Sequence, residues 1–480
     1  MFISPIVRGL ATASASFVFL AGIAFVPAAA QSREMPMSAN KQALAFFEQA
    51  RVKADNLEDP GTLFDQAVQK DPGFAFGYLF AGQTNVEFQN NLEKAVSLAA
   101  KATPAEREWI MSIEAQNRGD QDAALTHLQA VEKLYPHDKR VLMQMGNYYR
   151  GIGDDAKSLE YYLAASKVDK KYAPPYNIIG YSYVALGNFG ETEKAFKTYI
   201  SLIPNNANPY DSYGEMLLNS GKFDESIRQY SMALAKNPSF YNSYEGMGNA
   251  YEYKGDFAKA REMYQMMFDR SQTEALKAQA LASMSNSWIS EGRFAEALKV
   301  NERRIETARK AGDGQTQFGL HNLGALIATE SGDFETAAKE IDMAAALAVD
   351  PSLPAATAPN RAFNLGLARA RLMIAKNDTA GAKTQLEWLA SAAKNLNQNR
   401  NYNLVAGYSE LKQGRAAAAS EFFAKANQAD PFVWYNQAQA LEAQNDSAGA
   451  QRLYKKIATL NQLDTTGYAL VRSRAVAKLK

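Results

Sequence analysis

The chain has 480 residues, no cysteine, 52 Lys plus Arg against 51 Asp plus Glu, and 3 histidines. Lack of cysteine excludes a disulfide framework, a lipoprotein acylation site, a thiolate nucleophile and a sulfur-ligated metal, so stability must come from packing. Balanced charge leaves no electrostatic footprint for nucleic acid and no basic run for an anionic membrane surface, and the length exceeds one hydrophobic core, so several domains or a repeat array are expected.

Residues 1–9 carry a single charge, Arg8, residues 10–26 are apolar or small, and Pro27, Ala28, Ala29 and Ala30 precede Gln31. A charged start, an apolar stretch and an Ala-x-Ala ending predict a secretory signal peptide over 1–30, cleaved after Ala30. Thr12, Ser14, Ser16 and Gly22 interrupt the apolar stretch, which falls short of the ~20 apolar residues of a spanning helix. The expected location is the periplasm, with secretion, or anchoring by an uncleaved signal segment, as alternatives. No later run is long enough to insert the mature chain in a membrane. A large exported chain without disulfides also points to a bacterial source.

Helical units follow. Asp71-Pro72 closes a degraded first unit, and Asn90 is read as a loose second turn. Beyond them, Gly119, Gly153, Gly187, Gly221 and Gly255 recur every 34 residues. Gly146, Gly180, Gly214 and Gly248 keep the same period, as do Tyr162, Phe196, Tyr230 and Tyr264, while Pro204 and Pro238 form a fourth column. A fixed period of this length marks a repeat array. The first glycines stand where one helix ends and the next begins, because a left-handed residue there costs most side chains ~1–2 kcal/mol and glycine nothing. The second glycines fall inside a helix at a cost of ~1 kcal/mol relative to Ala. They are expected where the two helices of a unit cross, with the aromatic column filling the space beside them. Proline after the second helix stops it before the next unit.

Residues 206–238 read NANPYDSYGEMLLNSGKFDESIRQYSMALAKNP. Tyr210, Tyr213, Gly214, Leu217, Gly221, Ser226, Tyr230, Ala233 and Pro238 occupy the positions of a pattern that resembles the tetratricopeptide repeat, with Ser226 in place of the usual alanine. The next unit matches at Tyr244, Gly248, Tyr251, Gly255, Ala260 and Tyr264, and the resemblance is specific over about 106–270. It implies an all-α superhelix of stacked helix pairs.

Past 270 the pattern drifts: Gly292, Gly332, Asn377, Gly414 and Asn445 continue the inter-helix turns at spacings of 37, 40, 45, 37 and 31. Asp350-Pro351 and Asp430-Pro431 repeat a unit ending common in the family. About twelve helix pairs are expected over 37–460, with a capping helix from about 464 to 480. The segment 351–360, PSLPAATAPN, holds three prolines and coincides with the longest spacing. It is expected to form an elbow between an N-terminal array over 37–350 and a C-terminal array over 361–480.

No catalytic constellation assembles from the sequence. His127 and His137 lie in one unit and His321 far away, without a metal-ligating pair. Gly246-Met247-Gly248 lacks the third glycine of a dinucleotide fingerprint, and neither a nucleophile elbow nor a phosphate-binding loop is present. The expectation is a chain that is not an enzyme and carries no cofactor and no metal, but binds another molecule.

The resemblance implies that the first helix of each pair lines a concave face. Its inner positions here are Arg140, Asn147 and Arg150, then Asn177 and Tyr181, then Asn208, Asp211, Glu215 and Asn219. Asn242, Glu245, Asn249, Glu252, Tyr253 and Asn286 follow. An asparagine amide donates and accepts together and can pair with an extended backbone, while the four carboxylates favour a cationic segment. The family's carboxylate-clamp members use paired Lys and Asn; Asn147 fits, but Asp211 and Glu215 stand where lysine would be expected. The expected partner is therefore a protein or extended peptide, net basic, and the expected role an envelope scaffold. A glycan-binding protein of the starch-utilisation type and an assembly factor for an envelope or polymer-secretion complex are the alternatives. The former is disfavoured because most tyrosines stand at core spacing.

Overall fold

A computed structural model describes residues 34–82, 84–461 and 465–480. The segment 1–30 lies outside the described residues. Within them the chain forms helices and no strand. The N-terminal part holds α1 (Lys41–Asp55), α2 (Leu63–Lys70), α3 (Asn85–Leu98), α4 (Pro104–Asn117) and α5 (Gln121–Leu134). The regular array continues with α6 (Lys139–Gly151), α7 (Asp155–Val168), α8 (Pro174–Ala185), α9 (Phe189–Leu202), α10 (Asn208–Asn219), α11 (Phe223–Lys236), α12 (Tyr241–Tyr253) and α13 (Phe257–Arg270). Longer pairs come next: α14 (Glu274–Ser290), α15 (Phe294–Lys310), α16 (Gly314–Ser331), α17 (Phe334–Ala348), α18 (Ala358–Ala375) and α19 (Thr379–Ala392). The chain closes with α20 (Leu396–Lys412), α21 (Ala416–Lys425), α22 (Pro431–Ala443), α23 (Ser447–Thr459) and α24 (Thr466–Lys478).

The glycine columns have the two roles their spacing implies. Gly119, Gly153, Gly187, Gly221, Gly255, Gly292, Gly332 and Gly414 all have positive φ, and Asn377 and Asn445 take the same left-handed conformation at φ 59 and 64. The residue after the turn then caps the next helix: Asp154 accepts from the Lys157 N–H, Asn188 from Glu191 and Asp378 from Gly381. At the helix crossings a Cβ on Gly146 would lie 2.6 Å from Tyr162 Cε1, and one on Gly180 2.6 Å from Phe196 Cζ. The rings fill that gap and are wholly buried. Ser226, the exception to alanine, donates to the Gly214 carbonyl at 2.7 Å, and Ser158 does the same to Gly146 at 3.0 Å. Each hydroxyl thereby ties the crossing together.

One expected turn is a helix instead. Asn90 lies inside α3, which a capping box between Thr84 and Glu87 initiates and which runs unbroken to Leu98. It packs below a phenylalanine cluster around Phe47, Phe74, Phe76 and Trp109. Segment 351–360 contains a short 3-10 turn, Ala355–Thr357, and the first residues of α18. Arg361, 2% exposed, donates from there to the carbonyls of Ala348 and Pro354 and to the Thr357 hydroxyl.

Both ends of the chain fold back across the array. Arg140 on α6 pairs with Asp55 at 2.6 Å, and Asn206 donates to the Asn56 carbonyl at 2.7 Å. At the other end α24 packs on α23 and α22 and also returns to α14. Thr466 donates to Asn286 Oδ1 at 3.0 Å, Ser473 to the Ser290 carbonyl at 2.7 Å, and Arg474 to Glu330 at 2.9 Å. Ile289, Ile327, Trp434, Tyr435, Tyr468 and Leu470 share one apolar cluster. The last helix is thus a cap on the final pair and a bridge to a helix some 180 residues earlier in the chain.

Candidate functional site

The residues expected on the inner face stand on α8, α10, α12 and α14. Helical spacing aligns them: Asn177 and Tyr181 are four apart on α8, Asp211 and Glu215 four apart on α10, and Asn242, Glu245 and Asn249 follow one face of α12. Hydrogen bonds link each helix to the next. Tyr181 donates to Glu215 at 2.7 Å, Ser243 donates to Asp211 at 2.6 Å, and Gln279 donates to Glu245 at 2.6 Å. The Tyr181–Glu215 and Glu245–Gln279 pairs are each 34 residues apart, one repeat. Ser243, Gln279 and Ser283, which also donates to Glu245, were not among the sequence candidates. The repeat period itself pointed to Gln279.

All of these donors are neutral. They satisfy lone pairs on the carboxylates without cancelling their charge. Burial pushes Asp211 up to about 7; the Ser243 hydrogen bond opposes the rise, and Glu215 and Glu245 add to it. Burial also raises Tyr181 well above the usual phenol range, with Glu215 contributing. The charges that raise Asp211 are the carboxylates of Glu215 and Glu245. Such a cluster holds negative potential around a partly desolvated carboxyl, where charge is weakly screened.

The groove asparagines are partly committed to the core. Asn147 Oδ1 accepts from the Tyr162 hydroxyl at 2.8 Å, Asn249 Oδ1 from Tyr264 at 2.6 Å, and Asn208 Oδ1 from Tyr199 at 3.2 Å. Where the column residue is Phe196, which has no hydroxyl, the position after the crossing glycine is Tyr181 instead of asparagine. Asn147 and Asn249 therefore have a packing role, and with Oδ1 taken by tyrosine what they have to offer is their amide N–H donors. Asn177 keeps a buried Oδ1 without a hydrogen-bond partner among the described residues.

The remaining candidates divide by what covers them. Arg150, Glu215 and Asn242 are exposed, and Asn219 is half-buried. Arg140 is held by Asp55 and Glu34. Glu252, expected as exposed, is 9% exposed and accepts from Ser290 at 2.7 Å; Asn286, at 5%, accepts from Thr466 of α24. The Tyr253 ring lies under Arg472 and against Tyr468. The returning helix α24 therefore occupies this end of the face. Asn147, Arg150, Asn177, Tyr181, Asn208, Asp211, Glu215, Asn242, Glu245 and Asn249 form the central stretch between the two chain ends.

Two of the three histidines have local partners: His127 pairs with Glu108 and His321 with Glu340, each at 2.7 Å and each joining the two helices of one unit. Among the described residues no group of three or more His, Asp or Glu could hold a metal, and no helix is long and apolar enough to cross a membrane.

Family models described as "Tetratricopeptide repeat" match residues 214–275 and 173–206. No curated protein matches the sequence at a significant level. Among solved structures the chain is similar to MamA from Desulfovibrio magneticus RS-1, at 18% identity over 36% of this chain and 98% of that one, with a TM-score of 0.33. It is similar to YrrB, described as a TPR protein with an unusual peptide-binding site, at 16% identity over 45% and 96%, with a TM-score of 0.30. A type IV pilus biogenesis factor, PilW, matches at 15% identity over 46% and 91%, with a TM-score of 0.34. Matched repeat models over 173–206 and 214–275, the left-handed turns and the glycine–aromatic crossings agree, and the chain carries tetratricopeptide repeats.

Proposed function

We propose that the chain is a non-catalytic protein-binding scaffold of the cell envelope that holds an extended, net-basic peptide or partner segment along α8, α10 and α12. The observation that carries this reading is the convergence of Asp211, Glu215 and Glu245 on adjacent helices, where Ser243, Tyr181 and Gln279 donate to them. A cationic segment would be attracted to these carboxylates, and the amide N–H groups of Asn147 and Asn249 would donate to its carbonyls. The envelope setting rests on the leader-like sequence over 1–30.

The test is binding of a fluorescein-labelled, unstructured Lys-rich peptide, with a Glu-rich counterpart as control. Asp211→Asn, Glu215→Gln and Glu245→Gln together preserve shape and remove charge. At about 0.2–1 kcal/mol for an exposed pair and more for the half-buried Asp211, the triple variant is expected to bind roughly ten- to a hundredfold more weakly. It should also show a flatter salt dependence. Unchanged affinity would sink the reading.

Asp211 adds a pH signature. Its folded-state value of about 7 lies above the unfolded ~4, so between them the folded chain holds a proton the unfolded chain has lost, and stability falls as pH rises. Affinity for the Lys-rich peptide should run the other way, rising from pH 6 to pH 8 as Asp211 gains its charge. Asp211→Asn should flatten both slopes, as read by thermal melts and anisotropy across that range.

A further inference from the structure

A cavity of about 850 Å³ lies between the C-terminal ends of α16 and α18 and the helices α20, α22 and α24. The apolar cluster that joins α14 and α16 to α22 and α24 bounds one side. Its two carboxylates are already neutralised. Glu330 pairs with Arg474 at 2.9 Å, and Glu442 pairs with Lys478 at 2.9 Å and accepts from the Tyr454 hydroxyl at 2.9 Å.

Two cations are left over. Lys412 lies over the Tyr408 ring, 5.5 Å from its centroid, and has no carboxylate partner among the described residues. Arg371 reaches from α18 into a recess that shares Thr329, Glu330, Tyr408 and Phe432 with the cavity wall. Its guanidinium makes no hydrogen bond and no ion pair among the described residues. Burial pulls it below the ordinary guanidinium value, and Glu330, Asp430 and Tyr408 act from a distance to restore it. A guanidinium keeps its charge even so, and the half-buried Arg371 side chain leaves its fork open to an anion. Phe334 and Phe432 give the same space an apolar side, each half-buried.

We infer that this cavity, together with the adjoining recess that Arg371 lines, is a binding site for a small ligand that joins a carboxylate or phosphate to an apolar body, the anion held by Arg371 and Lys412 and the body lying on Phe334 and Phe432. An anion accepts two parallel hydrogen bonds from a guanidinium fork, which is the geometry an unengaged Arg371 can offer. The site is opposite in charge to the groove floor on α10 and α12 and lies in the other half of the array, so neither reading depends on the other.

The experiment is calorimetric titration of the full chain with phenyl phosphate, phenylacetate and the neutral phenylacetamide. Both anions are expected to bind, the amide about tenfold or more weakly, and Arg371→Gln should weaken the anions by about tenfold or more with the helical spectrum unchanged. The stronger of the two anions distinguishes a phosphate from a carboxylate ligand. Lys412→Gln, at an exposed position, is the second variant should Arg371→Gln not fold, and is expected to weaken both anions several-fold. The proposal is overturned if neither anion binds at about 10 mM, well above a millimolar dissociation constant. It is equally overturned if the amide binds as well as the acids, or if the folded variant keeps wild-type affinity.

Discussion

Gly180→Val is expected to destabilise the chain by about 2–3 kcal/mol, the upper part of the range for overpacking a filled core. A Cβ there would lie 2.6 Å from Phe196 Cζ and 2.8 Å from both Cε atoms. The ring cannot move aside: Phe196 is wholly buried, with Tyr181 edge-on at 5.3 Å and Tyr213 at 6.3 Å. Gly214→Ala is the informative contrast. Its Cβ would stand 3.0 Å from Tyr230, and the ~1 kcal/mol gained in helix propensity offsets much of the crowding. Gly221→Val has space but requires a left-handed valine at φ +75, a cost of about 1–2 kcal/mol. Urea denaturation with hydrogen exchange on α8 and α9 reads all three, since repeats lose structure by neighbouring units rather than as one block. Equal stability of Gly180→Val and Gly214→Ala would mean that the helices do not cross where the glycine–aromatic pairs place them.

Removing α24 is expected to have the larger effect. Tyr468, Leu470, Val471 and Ala475 are nearly or wholly buried, and at about 1.5–3 kcal/mol for each large apolar side chain the helix contributes roughly 4–8 kcal/mol. Its loss would also uncover Ile289, Ile327 and Trp434 and leave Glu330 without Arg474. A chain ending at 464 should therefore bind a hydrophobic dye, and α14, α22 and α23 should lose exchange protection. Protection of α6–α9 should stay as it was, because coupling in a repeat array runs between neighbours. Full protection of α14 in the shortened chain would contradict the bridging role.

These two results bear on parts of the molecule that differ in how readable they were. A crossing glycine and its aromatic partner belong to one unit, 16 residues apart in Gly146/Tyr162 and Gly180/Phe196, and contacts of that kind repeat with the period. Left-handed turns were readable even where asparagine replaces glycine, at Asn377 and Asn445, because spacing carried the register. Asn90 misled for the opposite reason: outside the regular period, an asparagine alone says little, while the capping box at Thr84 and Glu87 was the stronger local signal. The return of α24 to α14 was not legible. A period reports neighbouring units, and nothing in Thr466 or Ser473 names a partner some 180 residues away. In the groove, the carboxylate positions were visible as columns, whereas the tie between Asn147 and Tyr162 became plain only from their hydrogen bond, although Tyr181 opposite Phe196 was a usable hint.

The groove reading is tested most directly by where a bound basic segment lies. A photo-crosslinking residue placed at Asn242, exposed on α12 beside Glu245, or at Arg150, exposed on α6, should capture the Lys-rich peptide, and the yield should fall with the triple amide variant. The same residue at Lys194, exposed on α9, and at Gln439, in the C-terminal cavity wall, should capture little. Capture at Gln439 with none at Asn242 or Arg150 would place the peptide in the C-terminal array and contradict the account.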